Sequence, residues 1–519
     1  MEATKAGGRD GDERHAALMN NASAIRAVCS AVEGTLGPKG LDTMLVGAGG
    51  DVLITNDGVT ILEKMDVSHP AARLLVQVAR SQQAEIGDGT TTATVLAGAM
   101  VAEGSAQVLK GVPVAKVVAG IEEGARLAAE FIAASAVSIE SLDDPMLYRI
   151  AYIAGREHAD LAGLVLEAAQ RVGRERLCDE RYRFASAVTP LAKGRSEVVP
   201  GLLLAKTPAG FYEREEAQGE GVLVLMDALE PAKPAEEALA TEAGFREYAA
   251  SRESFRAELV RLAELGVGLI ALDRGVDAEA EQFCADRGIM VLPRLPRADL
   301  ARLREYAGAV PVRRAALAKP AAELARALGR ARAAYDPARG RVRVTGGAGL
   351  AAVAVAVGAS TRELAGERAR IAGDAAAAVQ AAVRGGYVAG GGAAELAAAR
   401  ELERRRETMR GLEGFGLAAV AEALRRPLAQ IAVNAGLSPL EKVEEAKAAQ
   451  ALADSAALAI DCDTGEVADM LRLEIVDPAP VKLHAIRAAG EVAAAVLRIR
   501  TVIKMRSAAD GESGGSDST

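Results

Sequence analysis

The sequence predicts a multi-domain α/β protein that is mainly helical towards both ends and mixes strands with helices in the middle. Its 519 residues exceed what one hydrophobic core usually holds, which indicates two or three domains. Apolar residues recur at helical spacing near both ends, whereas short apolar runs bounded by glycine, proline or charge occupy the middle. Aromatic residues make up only 3% and tryptophan is absent, so we expect helices that pack through small side chains.

The two ends of the chain account for most of the predicted helices. Helices are predicted over residues 16–34, 70–85, 90–109, 113–134, 159–173 and 361–384, and through almost all of 396–506. The stretch "DVLITNDGVTIL" (51–62) is predicted as two short strands that meet at an Asn-Asp-Gly turn.

The middle of the chain carries the predicted strands. They cover residues 201–206, 221–229, 267–275, 288–295 and 351–360, and alternate with helical stretches. The segment 232–265 is charged, with one narrow apolar stripe that comprises Tyr248, Phe255, Leu259 and Leu262. Such a stripe indicates either a surface helix that packs on its own domain or a projecting helix that meets partners.

Composition excludes several classes of function. A net charge of −9 with intermixed signs argues against a nucleic-acid-binding protein. Four scattered cysteines favour a reducing compartment over a disulfide framework or a structural zinc site. The N-terminus lacks a signal-peptide pattern and no stretch is apolar enough to cross a membrane, so we expect a cytoplasmic protein with no membrane partner. The polar tail 507–519 is predicted to be disordered.

The motif "GDGTTTATV" (87–95) joins a glycine turn to the start of a predicted helix. Gly87 and Gly89 can let the backbone close around an anion, and the first N–H groups of the helix would point towards it. Asp88 would repel a bare phosphate, but suits Mg²⁺, which prefers carboxylate oxygens. The motif alone is equally consistent with a threonine that caps a helix after a glycine turn.

Two further turns carry polar residues, "TLGPKG" (35–40) and "TNDG" (55–58). Lys39 is a possible charge partner in the first, and Asp57 in the second could orient a metal or a water. Either turn taken alone is more often only a turn. The chain has no GxxxxGK[ST] phosphate loop, and its other glycine runs lack the strand–GxGxxG–helix context of a dinucleotide site.

Taken together, these motifs resemble the ATP site of chaperonins. The four segments "TLGPKG", "GDVLITNDGVTIL", "HPAARLLVQVA" and "GDGTTTATVLAG" follow in the family's order and spacing. The similarity continues through "YVAGGGAAE" (387–395), "NAGLSP" (434–439), "TGEVADM" (464–470) and "VDPAPVK" (476–482), and covers residues 15–506. The pattern is more similar to the group II, thermosome-like branch than to the GroEL type.

The resemblance implies a mainly helical equatorial domain, a small α/β intermediate domain, and an α/β apical domain with a helical protrusion that serves as a built-in lid. The implied boundaries are 1–140 and 392–506 for the equatorial domain, 141–200 and 352–391 for the intermediate domain, and 201–351 for the apical domain, with the protrusion at about 230–262.

The resemblance also implies roles for individual residues. Asp374, sixteen positions before Gly390, would orient the attacking water, with Asp57 as the second catalytic carboxylate and Asp88 as the magnesium ligand. The implied nucleotide-binding residues are Thr35, Leu36, Gly37, Pro38, Asn56, Gly58, Gly87, Gly89, Thr90, Thr91, Thr92, Gly391, Asp461, Asp463 and Asp477. Gly391 would lie by the base and ribose, Asp477 would bind the ribose hydroxyls, and the turn with Asp461 and Asp463 would contact the base. Without the family, Asp374 would be read as a helix-surface charge.

The sequence departs from the family pattern at the position that is expected to sense the γ-phosphate of ATP. Group II members commonly sense it with a lysine in a short intermediate-domain loop, whereas "RIAYIAGREH" (149–158) places His158 there and lacks the usual Thr-Ser run. Either His158 or Arg156 substitutes, or hydrolysis is coupled to closure differently. Lys39 is a third candidate.

The function implied by the resemblance is ATP-driven protein folding. ATP and Mg²⁺ are the implied cofactors, and non-native proteins the clients. The chain would form a double-ring homo-oligomer with eight subunits in each ring, and it would need no separate co-chaperonin. Tyr248, Phe255 and Leu259 would contact the lid or clients. The alternative, from another functional class, is a ring-forming structural or tethering protein with a vestigial ATPase. The presence of Asp57, Asp88 and Asp374 argues against this alternative.

Overall fold

The computed structural model describes residues 6–501 except Ala48, Phe211, Glu213 and residues 233–240. The predicted disordered tail at 507–519 lies outside the described residues. The helices are α1 (Ala6–Val32), α2 (Gly58–Lys64), α3 (Pro70–Glu85), α4 (Thr90–Leu109), α5 (Val114–Ala134), α6 (Pro145–Ala154), α7 (Ala159–Val172), α8 (Arg174–Cys178), α9 (Glu242–Glu264), α10 (Ala278–Asp286), α11 (Arg297–Ala307), α12 (Ala321–Ala325), α13 (Arg362–Gly385), α14 (Ala393–Thr408), α15 (Glu413–Asn434), α16 (Pro439–Ala453) and α17 (Ala479–Leu497). Short 3₁₀ helices cover Glu33–Thr35, Phe184–Ala187 and Arg314–Ala318.

The strands are short. They are β1 (Thr43–Val46), β2 (Val52–Thr55), β3 (Val188–Ala192), β4 (Glu197–Pro200), β5 (Leu202–Leu204), β6 (Gly221–Leu225), β7 (Val267–Leu272), β8 (Met290–Leu292), β9 (Gly329–Arg330), β10 (Arg332–Asp336), β11 (Arg341–Thr345), β12 (Val353–Ala359), β13 (Tyr387–Ala389), β14 (Leu458–Ile460), β15 (Val467–Asp469) and β16 (Val476–Pro478). The multi-domain α/β class predicted from the sequence is confirmed.

The chain divides into two compact units, residues 1–154 with 377–519 and residues 155–376. Helix α6, which the sequence places in an intermediate domain, belongs to the first unit, as do residues 377–391. The three-domain organisation stays a prediction. The second unit is therefore an insertion between the two halves of the first.

The main core of the first unit is helical and contains residues of α1, α2, α3, α4, α5, α14, α15 and α17. A smaller core cluster joins α14, α15 and α16 to the strands β13 and β14. In α5 the buried residues Val117, Ile121 and Ala128 recur at helical spacing. Helices α5 and α15 touch through glycines, since a Cβ on Gly120 would lie 2.0 Å from a carbonyl oxygen of α15 and 2.7 Å from the Cα of Gly416. Small side chains thus let these helices approach closely, as the composition predicts.

The second unit holds three sheets. The four-stranded sheet has the order β8-β7-β6-β9, with β6, β7 and β8 parallel and β9 antiparallel. Every residue of β7 is buried, as expected of a parallel strand covered on both faces. The other two sheets have the orders β10-β11-β5 and β3-β12-β4.

Two predictions of secondary structure are wrong. Residues 51–62 form one strand and the helix α2, because Asp57 acts as an N-cap whose carboxylate accepts from the Thr60 amide at 3.0 Å. The C-terminal segment is interrupted by β14, β15 and β16, so 458–478 is not helical. These strands have only three residues each, too few for a period-2 pattern to emerge.

The apolar stripe in 232–265 also needs correction. Phe255 and Leu259 of α9 are 0% and 1% exposed, and with Leu262 they pack into the core of the second unit. They cannot contact clients or a lid in this state, and the protrusion cannot extend to residue 262. The predicted start of the protrusion includes residues 233–240, which lie outside the described residues. Tyr248 is half-buried, and its hydroxyl accepts from Arg252 at 3.1 Å.

Candidate functional site

The Gly87-Asp88-Gly89 loop forms a tight left-handed turn directly before α4. Gly87 and Gly89 have φ values of 87° and 78°, which only glycine adopts without strain. Gly89 is the N-cap of α4 and has no side chain to cap it. The first amides of α4, from Thr90 onwards, have no acceptor within the helix, so they can bind an anion. Asp88 directs Oδ1 back to the Gly89 amide at 2.7 Å.

A buried amide supports this loop from behind. The side chain of Gln82 is 0% exposed, and its Nε2 donates to the carbonyl oxygens of Asp88 (2.7 Å) and Val481 (3.2 Å). Its Oε1 lies 2.7 Å from Nδ1 of His484, which must therefore donate. Burial lowers the pKa of His484 below its ordinary 6.5, although the charges of Glu85 and Glu491 oppose this. Gln82 thus fixes the Asp88 peptide between α3 and α17.

The Asn56-Asp57-Gly58 turn lies against the start of α4. A Cβ on Gly58 would lie 2.5 Å from Oγ1 of Thr91, so only glycine allows this approach. Asp57 caps α2, and its backbone amide donates to Thr55 Oγ1 at 3.2 Å. The side-chain oxygen of Asn56 is buried and has no hydrogen-bond partner within the described part of the chain. The turn therefore brings two oxygen-bearing side chains to the threonine end of α4.

The "TLGPKG" loop reaches the same place. Oγ1 of Thr35 lies 3.4 Å from Oγ1 of Thr91. Asn434 holds the loop in shape, because its Nδ2 donates to the carbonyl oxygens of Glu33 (2.9 Å) and Leu36 (2.8 Å). Gly37 has φ 84° and packs on α15. The loop is thereby fixed beside α4 by residues from the far end of the chain.

The turn that joins β14 to β15 meets the same loop. Lys39 pairs with Asp463 at 2.6 Å, although both side chains are largely exposed. Asp461 shapes the turn by accepting from the Asp463 amide at 2.9 Å and the Thr464 hydroxyl at 3.1 Å. Lys39 is therefore engaged with Asp463, which does not favour it as a phosphate sensor.

The glycine run 390–392 links β13 to α14 and lies beside Asp477. Gly391 and Gly392 have φ values of 63° and 81°. A Cβ on Gly390 would lie 3.2 Å from Oδ2 of Asp477. Asp477, in β16, also pairs with Lys482 at 2.8 Å. The predicted ribose-binding carboxylate thus lies against a bare backbone turn.

The structure therefore assembles most of the predicted site residues in the first unit. These are Thr35, Leu36, Gly37, Pro38, Lys39, Asn56, Asp57, Gly58, Gly87, Asp88, Gly89, Thr90, Thr91, Thr92, Gly391, Asp461, Asp463 and Asp477. The first fourteen precede residue 93 in the chain and the last four follow residue 390, so the fold joins two distant segments.

Asp374 and two of the candidate sensors, Arg156 and His158, belong to the second unit. The division between the units falls inside α13 after Ala376, two residues beyond Asp374. Arg370 donates to Asp374 at 3.0 Å and pairs with Glu367 at 2.6 Å, and Arg156 lies 3.7 Å from Glu367. Hydrogen bonding from Arg370 lowers the pKa of Glu367. Asp374 therefore takes part in an ion-pair chain and is not an isolated surface charge.

The loop after α6 has an uncommon backbone. Arg156 and Glu157 have φ values of 51° and 61°, a left-handed conformation that costs non-glycine residues free energy. His158 is the N-cap of α7, and its side chain forms no capping hydrogen bond. This loop is where the sequence predicts the γ-phosphate sensor.

Sequence reasoning missed the supporting residues. Gln82, Asn434 and Lys482 hold the site loops. Asn434 and Lys482 lie in the segments "NAGLSP" and "VDPAPVK", but those segments do not reveal their roles, and Gln82 lies in none of the quoted motifs. Arg370 could have been found, because it precedes Asp374 by four positions on a helix, the spacing of an ion pair.

The residues present fit a nucleotide with a magnesium ion. Positive-φ glycines open a cradle that a Cβ would fill, and Asp88 and Asn56 offer the oxygen atoms that Mg²⁺ prefers. Within the described residues, no three His, Cys, Asp or Glu side chains come together as a metal site. A magnesium ion here would therefore share its coordination between the protein, phosphates and water.

Known proteins match most of this chain. The model of the TCP-1/cpn60 chaperonin family matches residues 28–507. Thermosome subunit alpha of Archaeoglobus fulgidus is 32% identical, over 96% of this chain and 94% of that protein. A thermosome subunit of Methanocaldococcus jannaschii is 30% identical, over 95% and 93% respectively.

A solved structure is similar across the whole chain. It is described as a group III chaperonin in the open state and is 42% identical, with a TM-score of 0.82 over 95% of this chain and all of that one. No helix in the described residues is both long and apolar enough to span a bilayer.

Proposed function

Because the chain belongs to the TCP-1/cpn60 chaperonin family, we propose that it is an ATP-dependent molecular chaperone. It would bind non-native proteins and enclose them in a double-ring chamber, with closure driven by ATP hydrolysis. Enclosure prevents exposed apolar surfaces of clients from aggregating while they fold. ATP and Mg²⁺ are the proposed substrate and cofactor.

One observation carries this proposal. The glycine cradle at 87–89, the Asp57 turn and the "TLGPKG" loop converge on the uncapped N-terminus of α4. Backbone amides and threonine hydroxyls supply donors for phosphate oxygens, and carboxylates stand ready for a cation.

Each proposed catalytic residue has a distinct task. Asp88 would hold Mg²⁺, which when bound neutralises phosphate charge. Asp374 would orient the attacking water, and Asp57 would assist as the second carboxylate. Such positioned groups suffice for phosphoryl transfer to water, because the reaction needs placement and charge stabilisation rather than covalent catalysis.

The γ-phosphate sensor is proposed to lie in the loop after α6. Arg156 is favoured over His158, because its guanidinium already belongs to the ion-pair chain that contains Asp374. The strained backbone at Arg156 is a feature often found at switch positions. Lys39 is disfavoured by its pairing with Asp463.

Assembly and partners follow from the family. We propose self-association into two stacked rings, eight subunits each, in the cytoplasm and without a co-chaperonin. The proposed built-in lid is the protrusion predicted from about residue 230, and Tyr248 is the remaining candidate for a lid or client contact.

The proposal is tested by ATP-dependent refolding of a denatured client protein. We expect wild type to hydrolyse ATP and to restore client activity without any added partner. Asp374→Asn should lower the hydrolysis rate about 10²- to 10⁴-fold and abolish refolding, because the water loses its orienting carboxylate. Asp160→Asn is the matched control, since Asp160 also pairs with an arginine of α13, Arg368.

Two results would contradict the proposal. Hydrolysis by wild type without client rescue would rule out a chaperone that closes by itself. Absence of hydrolysis, with rings still formed, would favour the tethering protein with a vestigial ATPase.

A further inference from the structure

Lys482 is a buried charge that no proposed step of hydrolysis uses. It lies in the first turn of α17, and its side chain is 8% exposed. Its Nζ pairs with Oε1 of Glu395 at 2.6 Å and with Oδ2 of Asp477 at 2.8 Å. Glu395 is 0% exposed. A lysine and a glutamate buried together are uncommon, because removing two charges from water costs much free energy.

The three charged side chains come from three segments of the chain. Glu395 is the third residue of α14, directly after the glycine run, whereas Asp477 lies in β16 and Lys482 in α17. Burial alone would lower the pKa of Lys482, but the charges of Asp477 and Glu395 outweigh it and hold this pKa above its ordinary value. Lys482 is therefore a permanent cation between two carboxylates.

Only one of the two carboxylates reaches the surface. The side chain of Asp477 is 30% exposed, whereas Glu395 is enclosed. Oδ2 of Asp477 is held by its ion pair with Lys482, and it faces the Cβ position that Gly390 leaves open. A carboxylate fixed in this way can accept hydrogen bonds only along a narrow set of directions, which favours a ligand with a matching pair of hydroxyls.

We propose that Lys482, anchored by Glu395, is a positioning residue that makes the site select nucleotides carrying ribose hydroxyls. This inference rests on the proposed function, in which Asp477 binds the ribose. Lys482 does not touch the nucleotide; it holds Asp477 in the rotamer that receives the hydroxyl groups. Without it, Asp477 would turn towards solvent and the preference for ribose would be lost.

The test compares binding of ATP with binding of 2′,3′-dideoxy-ATP. Lys482→Met alone leaves Glu395 buried without a counter-charge, so that variant is expected to fold poorly. The double variant Lys482→Met with Glu395→Gln removes both charges and keeps the volume, and its fold is checked first by thermal unfolding. Lys116→Met with Glu413→Gln makes the same chemical change in an ion pair between α5 and the start of α15.

We expect wild type and the control pair to bind ATP about tenfold more tightly than 2′,3′-dideoxy-ATP, the effect of one charge-assisted hydrogen bond. The Lys482–Glu395 double variant should bind the two nucleotides with nearly equal affinity, as should Asp477→Ala. If Lys482 and Glu395 had a purely structural role, the double variant would bind both nucleotides more weakly by the same factor. The ratio of the two affinities would then stay at about ten, which would overturn the inference. Equal binding by wild type would also overturn it, yet leave ATP binding intact. Only a wild type that binds neither nucleotide would remove the proposed function as well.

Discussion

Three side chains, the buried Gln82 and Lys482 and the half-buried Asn434, hold the loops of the candidate site. Each has two partners that are distant from it in sequence or belong to another element. An amide that serves two carbonyl oxygens cannot be replaced without leaving a buried acceptor unpaired, which typically costs about 1–3 kcal/mol. At the scale of the residue, the candidate site thus depends on groups outside the predicted nucleotide-binding residues.

His484 gives this network a pH dependence. Its pKa is lowered in the folded protein, so the unfolded chain binds a proton more readily. The contribution of His484 is therefore complete above its ordinary value of about 6.5 and declines as the pH falls below that value. Arg487 favours the neutral imidazole, whereas Glu85 and Glu491 oppose it.

We therefore predict that His484→Gln reduces the loss of stability between pH 7.5 and pH 5.5. Glutamine keeps a donor for Gln82 Oε1 but cannot be protonated. The measurement is the melting temperature of variant and wild type at both pH values. The same fall for both proteins would show that His484 does not contribute.

The residues that sequence could identify are those within local motifs. Asp57, Asp88 and the glycines were predictable because turns and helix starts have local chemistry. Gln82 was not, because its partner Val481 is 399 positions away and a sequence gives no burial. The contacts predicted for Phe255 and Leu259 were wrong for the same reason, because an apolar stripe in a sequence does not show whether it packs on its own domain or on a partner.

At the scale of the element, the decisive feature is the glycine that starts α4. Helices such as α3 and α4 were predictable with their boundaries, whereas α2 was mistaken for a strand because Asn-Asp-Gly suits both a turn and a helix cap. Gly89 combines a left-handed backbone with a close neighbour, since its Cβ would lie 2.4 Å from Cγ1 of Val481.

We predict that Gly89→Ala weakens ATP binding at least tenfold and lowers stability by more than the roughly 1–2 kcal/mol of left-handed strain alone. Gly111→Ala is the matched control: Gly111 has φ 95° and nothing within 4 Å of its Cβ position. Calorimetric unfolding and nucleotide titration of both variants separate the strain from the steric clash. Equal effects of the two substitutions would mean that the cradle tolerates a methyl group.

At the scale of the whole molecule, the β1–β2 hairpin presents an exposed apolar face. Met44 and Ile54 lie directly opposite each other and are 61% and 55% exposed. A two-stranded hairpin with apolar side chains in water is marginal by itself, so contact with another subunit would stabilise it.

We predict that Met44→Lys with Ile54→Glu lowers the mass of the assembled particle. The new charges can pair across the strands, so the hairpin itself keeps a favourable contact. Val310→Lys is the control, because Val310 is also apolar and 55% exposed but lies in the second unit. Light scattering after size exclusion measures the mass, and an unchanged particle would exclude the hairpin from the subunit contact.

The insertion of the second unit has a consequence for biosynthesis. Residues 155–376 are complete on the ribosome before any of the C-terminal half of the first unit exists. Asn434, Asp463 and Lys482, which contact the loops of the candidate site, are all translated after the second unit. A nascent chain can therefore fold its middle first but cannot complete the candidate site until these residues have been made. Nucleotide binding would then report that the second half of the first unit is present, and a chain truncated before it would be unable to enter the proposed ATP cycle.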